Sequence, residues 1–342
     1  MPVFLTGATG FLGVNLVRLL VGRGQRVRLL VREHSSRLGL DSNLIEFVRG
    51  DVTDAESVRR AMRGCDCVYH LAAWVQITPW GLETARRVNV DGTRHVCAAA
   101  LEHGVRRMVH TSSIATLATG TLTEPTDEGV PWNLGDLNIP YYRTKREAEG
   151  VVLEYTKRGL DAVIVNPTYL VGPWDVKPSA GRMLIQACTG RVCSYPPVGG
   201  INFVDVRCAA LGHLQAMDRG RSGQRYVLGG ENLSFRSFVA RVAAMAGFTG
   251  WRVFLPSPVI YPAAALGSLA GRLFPRPFRD LNLAILRSGA LQHYVSSRKA
   301  ADELGFEVTS IDRAVQDAIA WFAEHGYMKR PPVSPACEPS RR

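Results

Sequence analysis

Three glycines stand inside the segment Thr6-Gly7-Ala8-Thr9-Gly10-Phe11-Leu12-Gly13, directly after the apolar run Val3-Phe4-Leu5. Nothing else in the chain restricts its fold as tightly. Glycine reaches backbone conformations closed to other residues and lets a second backbone approach where any Cβ would collide. An apolar run, a glycine turn and the apolar-periodic stretch 12–20 read as strand, tight turn and helix. A secretory leader would need a basic start and a longer apolar core. A membrane span would need about 20 apolar residues. The opening residues have neither, so the glycines are expected to serve the fold.

The same alternation continues through the first half. Segments 3–5, 26–32, 45–48, 67–71, 108–111 and 162–165 are short, apolar and β-branched and read as strands. Segments 55–62, 85–102 and 141–157 read as helices. Most of the strands lack a polar face, which predicts a parallel sheet buried on both sides. The expected class is α/β, a Rossmann doubly wound parallel sheet with a smaller C-terminal lobe. Ligands of such sheets bind beyond the carboxyl ends of the strands, where the winding reverses. After Asn166-Pro167 the texture changes: Gly, Pro and short mixed segments fill 171–202. A strand at 225–229, a helix at 235–246, an apolar stretch at 256–274 and helical signals at 302–324 follow. Residues 1–167 are expected to form the nucleotide-binding domain. Residues 168–330 form the substrate-binding lobe, some of whose segments return to the first domain, and 331–342 a disordered tail.

Charge and cysteine content narrow the function classes. The net charge of +11 comes from arginine, since only five lysines occur: 145, 157, 177, 299 and 329. The arginines are dispersed in pairs such as Arg59-Arg60 and Arg86-Arg87, whereas a nucleic-acid binder gathers charge on one face. No nucleic-acid partner is therefore expected. Seven scattered cysteines without a CxxC pair read as reduced thiols of a cytoplasmic protein. Cys65, Cys67 and His70 lack the second ligand pair of a structural metal site, so no metal is expected.

The glycine turn has a ligand to match. Free N–H groups at the start of the first helix form an anion site, and Gly7, Gly10 and Gly13 allow a pyrophosphate to come close. The second strand ends in Arg32, where a sheet favouring NAD usually carries an acid for the ribose 2′-hydroxyl. Arginine presents a planar fork to a 2′-phosphate instead, and Arg37 adds a second contact. NADP is the expected cofactor, with NAD as the alternative.

Further segments carry a resemblance. TGATGFLG (6–13), GDVTD (50–54), HLAA (70–73), VNVDGT (88–93), TSSIATLA (111–118), YYRTK (141–145), NPTYLVGP (166–173), YVLGGENLSF (226–235) and ADELGF (301–306) are similar to segments of the extended short-chain dehydrogenase/reductases. This is the NAD-dependent epimerase/dehydratase superfamily. Within it the chain looks most like the dihydroflavonol 4-reductase and 3β-hydroxysteroid dehydrogenase branch, and through TSSIATL and GPWDVKPSAGR like hopanoid-associated sugar epimerases. The resemblance implies a cofactor surface of Gly7, Thr9, Gly10, Phe11, Leu12, Gly13, Asp51, Val52, Leu71, Ala72, Ala73, Thr111 and Pro167. It also implies a homodimer through helices 85–102 and 141–157.

Tyr141 and Lys145 lie four residues apart, on one face of a helix. Interconverting a ketone and a secondary alcohol by hydride transfer needs a proton donor and acceptor for the oxygen. A free phenol ionises near about 10, and an adjacent ammonium is expected to favour its anion. The resemblance makes Ser113 the group that holds the substrate oxygen, with Ser112 as rival, and gives Asn89 either a proton-relay or an anchoring role. Tyr142 is adjacent but lacks the spacing. Asp51 and Pro167 have alternative readings as turn and loop residues. Many nucleotide-sugar members carry an arginine before the segment matching 203–206; here Ile201 stands there, and Arg207-Cys208 replaces an acidic pair. That turns the expectation toward a hydrophobic cyclic or isoprenoid-like substrate touching Trp74, Ile77, Trp80, Tyr169, Trp174 and Tyr195. A sugar epimerase is the alternative. The apolar, proline-broken stretch 254–279 with Arg272, Arg276 and Arg279 suggests peripheral contact with the inner face of a membrane.

Overall fold

A computed structural model describes residues 1–178, 180–190, 199–248, 257–271 and 282–328. Tyr195, the tail 331–342 and much of 254–279 lie outside the described residues.

The eleven strands of the described residues are β1 Val3–Thr6, β2 Val27–Val31, β3 Ile45–Arg49, β4 Cys67–His70, β5 Arg107–Thr111, β6 Ala162–Pro167, β7 Tyr169–Val171, β8 Gly200–Asp205, β9 Arg225–Leu228, β10 Glu231–Ser234 and β11 Gln292–His293. The α-helices are α1 Phe11–Gly22, α2 Ala55–Met62, α3 Leu82–Ala85, α4 Gly92–Glu102, α5 Pro140–Lys157, α6 Gly181–Thr189, α7 Val206–Arg219, α8 Phe235–Met245, α9 Ser257–Ala270, α10 Leu283–Gly289, α11 Arg298–Leu304 and α12 Ile311–Glu324.

Seven strands form one parallel sheet in the order β3-β2-β1-β4-β5-β6-β9. The winding reverses between β1 and β4, so the carboxyl ends of these two strands open the crevice in which such sheets bind ligands. Every residue of β1, β4 and β6 is buried, as two covered faces require. One face packs against α1 and α7 through Leu16, Val17, Ala210 and Leu214. The other packs against α2, α4 and α5 through Val58, Met62, Val96, Ala100 and Val152. The edge strand β3 is only half buried. A second sheet, β10-β8-β11 with β7 on β8, carries the smaller lobe. Its Phe203 stacks on Phe238 of α8 at 3.9 Å, and α12 closes the cluster with Trp321 and Phe322.

The single helix expected over 85–102 is three pieces: α3, a π-helical turn at Arg86–Asp91, and α4. One wide turn shifts the register of side chains without interrupting the apolar spacing, so periodicity does not reveal it. Among the described residues, no helix is long and apolar enough to cross a membrane.

Candidate active site

The turn after β1 is built as its glycines require. Gly7 has φ +74°, and a Cβ there would lie 2.5 Å from the amide nitrogen of Ala72. A Cβ on Gly13 would lie 2.2 Å from the carbonyl oxygen of Gly7. Gly10 caps α1 with no side-chain hydrogen bond, and the first turn of α1 carries no acid. The positive end of the helix is thus uncompensated by any side chain of its first turn, and the floor of the cradle is backbone. These features fit a dinucleotide pyrophosphate; Thr9, Phe11 and Leu12 belong to the same turn and helix start, and Leu71, Ala72 and Ala73 follow β4. Thr6 Oγ1 pairs with His70 Nδ1 at 2.7 Å and accepts from the Ala72 amide at 3.2 Å, which ties both walls together.

Arg32 follows β2, is exposed, and makes no side-chain hydrogen bond or ion pair among the described residues. Its neighbour Glu33 is paired with Arg49, which partly offsets the acid beside Arg32. The Arg37 guanidinium lies over the Phe47 ring, 4.3 Å from its centroid. Asp51 closes a turn by accepting from the Thr53 amide and hydroxyl, both at 2.9 Å. Val52 is buried, and its carbonyl accepts from His95 Nδ1.

The catalytic candidates meet at the opposite wall. Pro140 opens α5, placing Tyr141 in the first turn, where the helix dipole favours a developing phenolate. The Ser113 side chain lies near the phenol and favours its anion. Ser113 Oγ accepts from the Ala115 amide at 3.2 Å, which leaves its own proton to point at the phenol oxygen. Ser112 faces away: its hydroxyl donates to Glu149 at 2.6 Å. Tyr142 also faces away, bonding to Ser288 at 2.7 Å. Lys145 Nζ donates to the Thr111 carbonyl at 2.6 Å. Thr111 Oγ1 in turn meets His213 Nε2.

Burial governs the protonation of this group. It pushes the Lys145 ammonium down to about 8, against the nearby Glu149 charge. It pushes the Tyr141 phenol above its ordinary range, with the Ser113 side chain working the other way. Among the chain's own groups, desolvation is the larger influence on the phenol and favours its protonated form.

Asn89 lies in the π-helical turn. Its Oδ1 accepts from the Trp74 amide at 2.7 Å, and its Nδ2 donates to the Trp74 carbonyl and to Thr144. Both amide protons are used, so the Asn89 side chain ties the loop after β4 to α5. Pro167 is buried at the end of β6.

The expected aromatic contacts scatter. Ile77 packs against the buried cluster that contains Tyr141. Trp74 lies across Gly81, and Trp80 across Gly271. Tyr169 donates to the Ala180 carbonyl and packs edge-on to Phe203. Trp174 takes the Arg18 guanidinium at 4.1 Å and packs on Trp321 and His325. The contacts of Tyr169 and Trp174 therefore belong to lobe packing rather than to the Tyr141 wall. That wall is Ile77, Trp132, Leu134, Leu137, Ala284 and Leu291. Trp132 donates its Nε1–H to the Ala115 carbonyl, fixing its ring beside the Ser113 turn. Only Ile77 of these was expected, because the others come from two separate stretches, 132–137 and 284–291, with no shared motif. Ile201 packs in the small lobe against the Phe203 cluster. Arg207 is consumed by Asp205 and Asp317, each at 2.6 Å.

Comparison with known proteins agrees with this geometry. A model of the NAD dependent epimerase/dehydratase family matches residues 3–229. A sterol demethylase protein B from Methylococcus capsulatus is 36% identical over 333 residues, covering 95% of this chain and 99% of that protein. A putative dihydroflavonol 4-reductase from a Synechocystis strain is 34% identical, covering 95% and 96%. The crystal structure of gox2253 superposes with a TM-score of 0.82 at 36% identity, covering 96% and 99%.

Proposed function

The chain belongs to the NAD dependent epimerase/dehydratase family, and from that premise we propose an NADP-dependent oxidoreductase that interconverts a ketone and a secondary alcohol on a hydrophobic ring-containing substrate. The observation that carries this reading is the hydroxyl pair Ser113–Tyr141 set into an apolar wall of Trp132, Leu134, Ala284 and Leu291.

The residues divide the work by their chemistry. The apolar wall favours a hydrophobic ring over a hydrated one. Ser113 donates to the substrate oxygen and stabilises the charge that grows on it. Tyr141, kept protonated by burial, delivers its proton to that oxygen during reduction and takes it back during oxidation. Lys145 supplies fixed positive charge behind the phenol and is held in place by the Thr111 carbonyl. Gly7, Gly10 and Gly13 with the α1 terminus would hold the pyrophosphate, and Arg32 with Arg37 the 2′-phosphate. When bound, the nicotinamide donates or accepts the hydride.

The family description and the resemblance to hopanoid-associated enzymes favour a second reading, a sugar epimerase using the same three side chains. One experiment separates the two. Purified protein is offered NADPH with a panel of bulky cyclic ketones, and absorbance at 340 nm is followed. Net consumption supports the reductase; isomerisation of a nucleotide sugar without net consumption replaces it with the epimerase.

We propose further that the substrate is delivered from an anionic membrane surface by α9. That helix carries no charged residue and exposes Val259, Leu266 and Leu269. The sequence beyond it supplies Arg272, Arg276 and Arg279, which complement acidic headgroups. Cosedimentation with phosphatidylglycerol vesicles, lost in Leu266→Glu/Leu269→Glu, is the expected result. Equal sedimentation of both proteins contradicts it, as does a shift in oligomeric state in place of vesicle binding.

A further inference from the structure

Helix α5 buries a third polar residue beneath Tyr141 and Lys145. Positions 141, 145 and 149 follow one face at successive turns, and Glu149 is 1% exposed at the foot of that stripe. Its Oε1 accepts from Ser112 Oγ at 2.6 Å, from Thr116 Oγ1 at 2.7 Å and from Asn166 Nδ2 at 2.8 Å. Its Oε2 faces Arg146 at 3.0 Å and Arg225 at 3.4 Å. These partners come from the end of β5, the turn after it, β6, α5 itself and β9. A carboxylate stripped of water is tolerated only when its lone pairs and charge are met in this way.

The partners surround one residue. Ser112 and Thr116 bracket Ser113. The Ser113 carbonyl accepts from the Thr116 amide at 3.1 Å and lies 3.3 Å from Asn166 Nδ2. The Thr116 carbonyl is held by Arg225, whose other amino group reaches the Glu128 carbonyl. The turn that aims Ser113 Oγ is thus clamped from below by a single carboxylate and its arginine. The same carboxylate is the anion that faces Lys145. The other titratable groups around that ammonium are Tyr141 on its own helix, His70 from β4 and His110 from β5. Both histidines are fully buried and driven to the neutral form.

We infer that Glu149 is a positioning residue of the active site: it fixes the 112–116 turn so that the Ser113 hydroxyl meets the Tyr141 phenol, and it sets the electrostatic field at Lys145. This rests on the proposed reductase for its activity arm only. Glu149→Gln separates the two roles, because the amide keeps an oxygen for Ser112, Thr116 and Asn166 but loses the charge.

The test has two readouts. With NADPH and a bulky cyclic ketone, Glu149→Gln is expected to lower kcat by about 10- to 100-fold, with KM and the NADPH Kd changed by less than about threefold. Glu149→Asp is expected to recover part of kcat. Independently of any substrate, NMR titration of isotopically labelled lysine side chains follows Lys145. Only five lysines contribute signals, and Lys145→Met assigns the one that matters. In the wild type it is expected to titrate near 8; in Glu149→Gln it is expected to fall by about 1 or more. Ser112→Ala loosens the clamp without touching the charge, and is expected to slow turnover at least about threefold while leaving the Lys145 titration in place. It serves also if Glu149→Gln does not fold. Wild-type kcat in Glu149→Gln or in Ser112→Ala, or a Lys145 titration indifferent to Glu149→Gln, overturns the inference. A wild type that reduces no ketone defeats the reductase reading and leaves the lysine titration to decide this one.

Discussion

Removing the charge of Lys145 should make this protein more stable while destroying its activity. The ordinary lysine value of 10.5 and the value of about 8 in the fold differ by about 2.5, and each whole step is worth about 1.4 kcal/mol, so burying the ammonium costs about 3–4 kcal/mol at pH 7. Lys145→Met keeps most of the volume and removes that cost. It also removes the 2.6 Å hydrogen bond to the Thr111 carbonyl, a loss of about 1.5 kcal/mol for a charged donor. The expected net gain is about 2 kcal/mol. The sign depends on pH in a checkable way. Below pH 8 both folded and unfolded chains carry the proton and the cost is present in full. Between about 8 and 10.5 the unfolded chain alone binds it, so wild-type stability rises with pH through this window. The variant lacks that rise, and its advantage shrinks toward pH 10.5. Urea unfolding of both proteins at pH 7 and pH 10 measures the difference. A variant less stable than wild type at pH 7, or an advantage independent of pH, would refute the reasoning.

Other substitutions probe other parts of the account. Gly13→Ala drives a methyl into the Gly7 carbonyl 2.2 Å away; it is expected to destabilise the fold by about 1–3 kcal/mol and to abolish nucleotide binding in calorimetry. Arg32→Ser is expected to weaken NADPH binding by about 10-fold or more while leaving NADH binding within about twofold, as for loss of a charge-assisted phosphate contact. Ser113→Ala is expected to lower kcat by about 10²–10³-fold, as for loss of an oxyanion donor, with the NADPH Kd unchanged.

What could be read in the sequence was local. Gly7 and Gly13 announce themselves because the close approaches they permit involve Ala72 and their own turn, where any Cβ would collide. Tyr141 and Lys145 are legible because one helical turn joins them. Strands such as β1 and β4 are legible because burial on both faces leaves mostly apolar side chains, with Thr6 and His70 paired to each other at their ends. Trp132, Leu134 and Leu291 could not be read, since their shared position beside Tyr141 is created by tertiary folding. Trp174 misled for the same reason: its indole is claimed by Arg18 and Trp321, partners distant in sequence. Glu149 looked like any polar residue on a helix until the sheet closed over it. Asn89 was left between two roles by the sequence; the fold adds side-chain hydrogen bonds to Trp74 and Thr144, which the sequence did not show.

The account depends above all on the Tyr141 hydroxyl as the proton source. Tyr141→Phe deletes that oxygen alone. Single-turnover reduction of a cyclic ketone by NADPH, followed at 340 nm, is expected to slow by about 10²–10⁴-fold while the NADPH Kd stays within about threefold of wild type. Hydride transfer at the wild-type rate in that variant would contradict the mechanism.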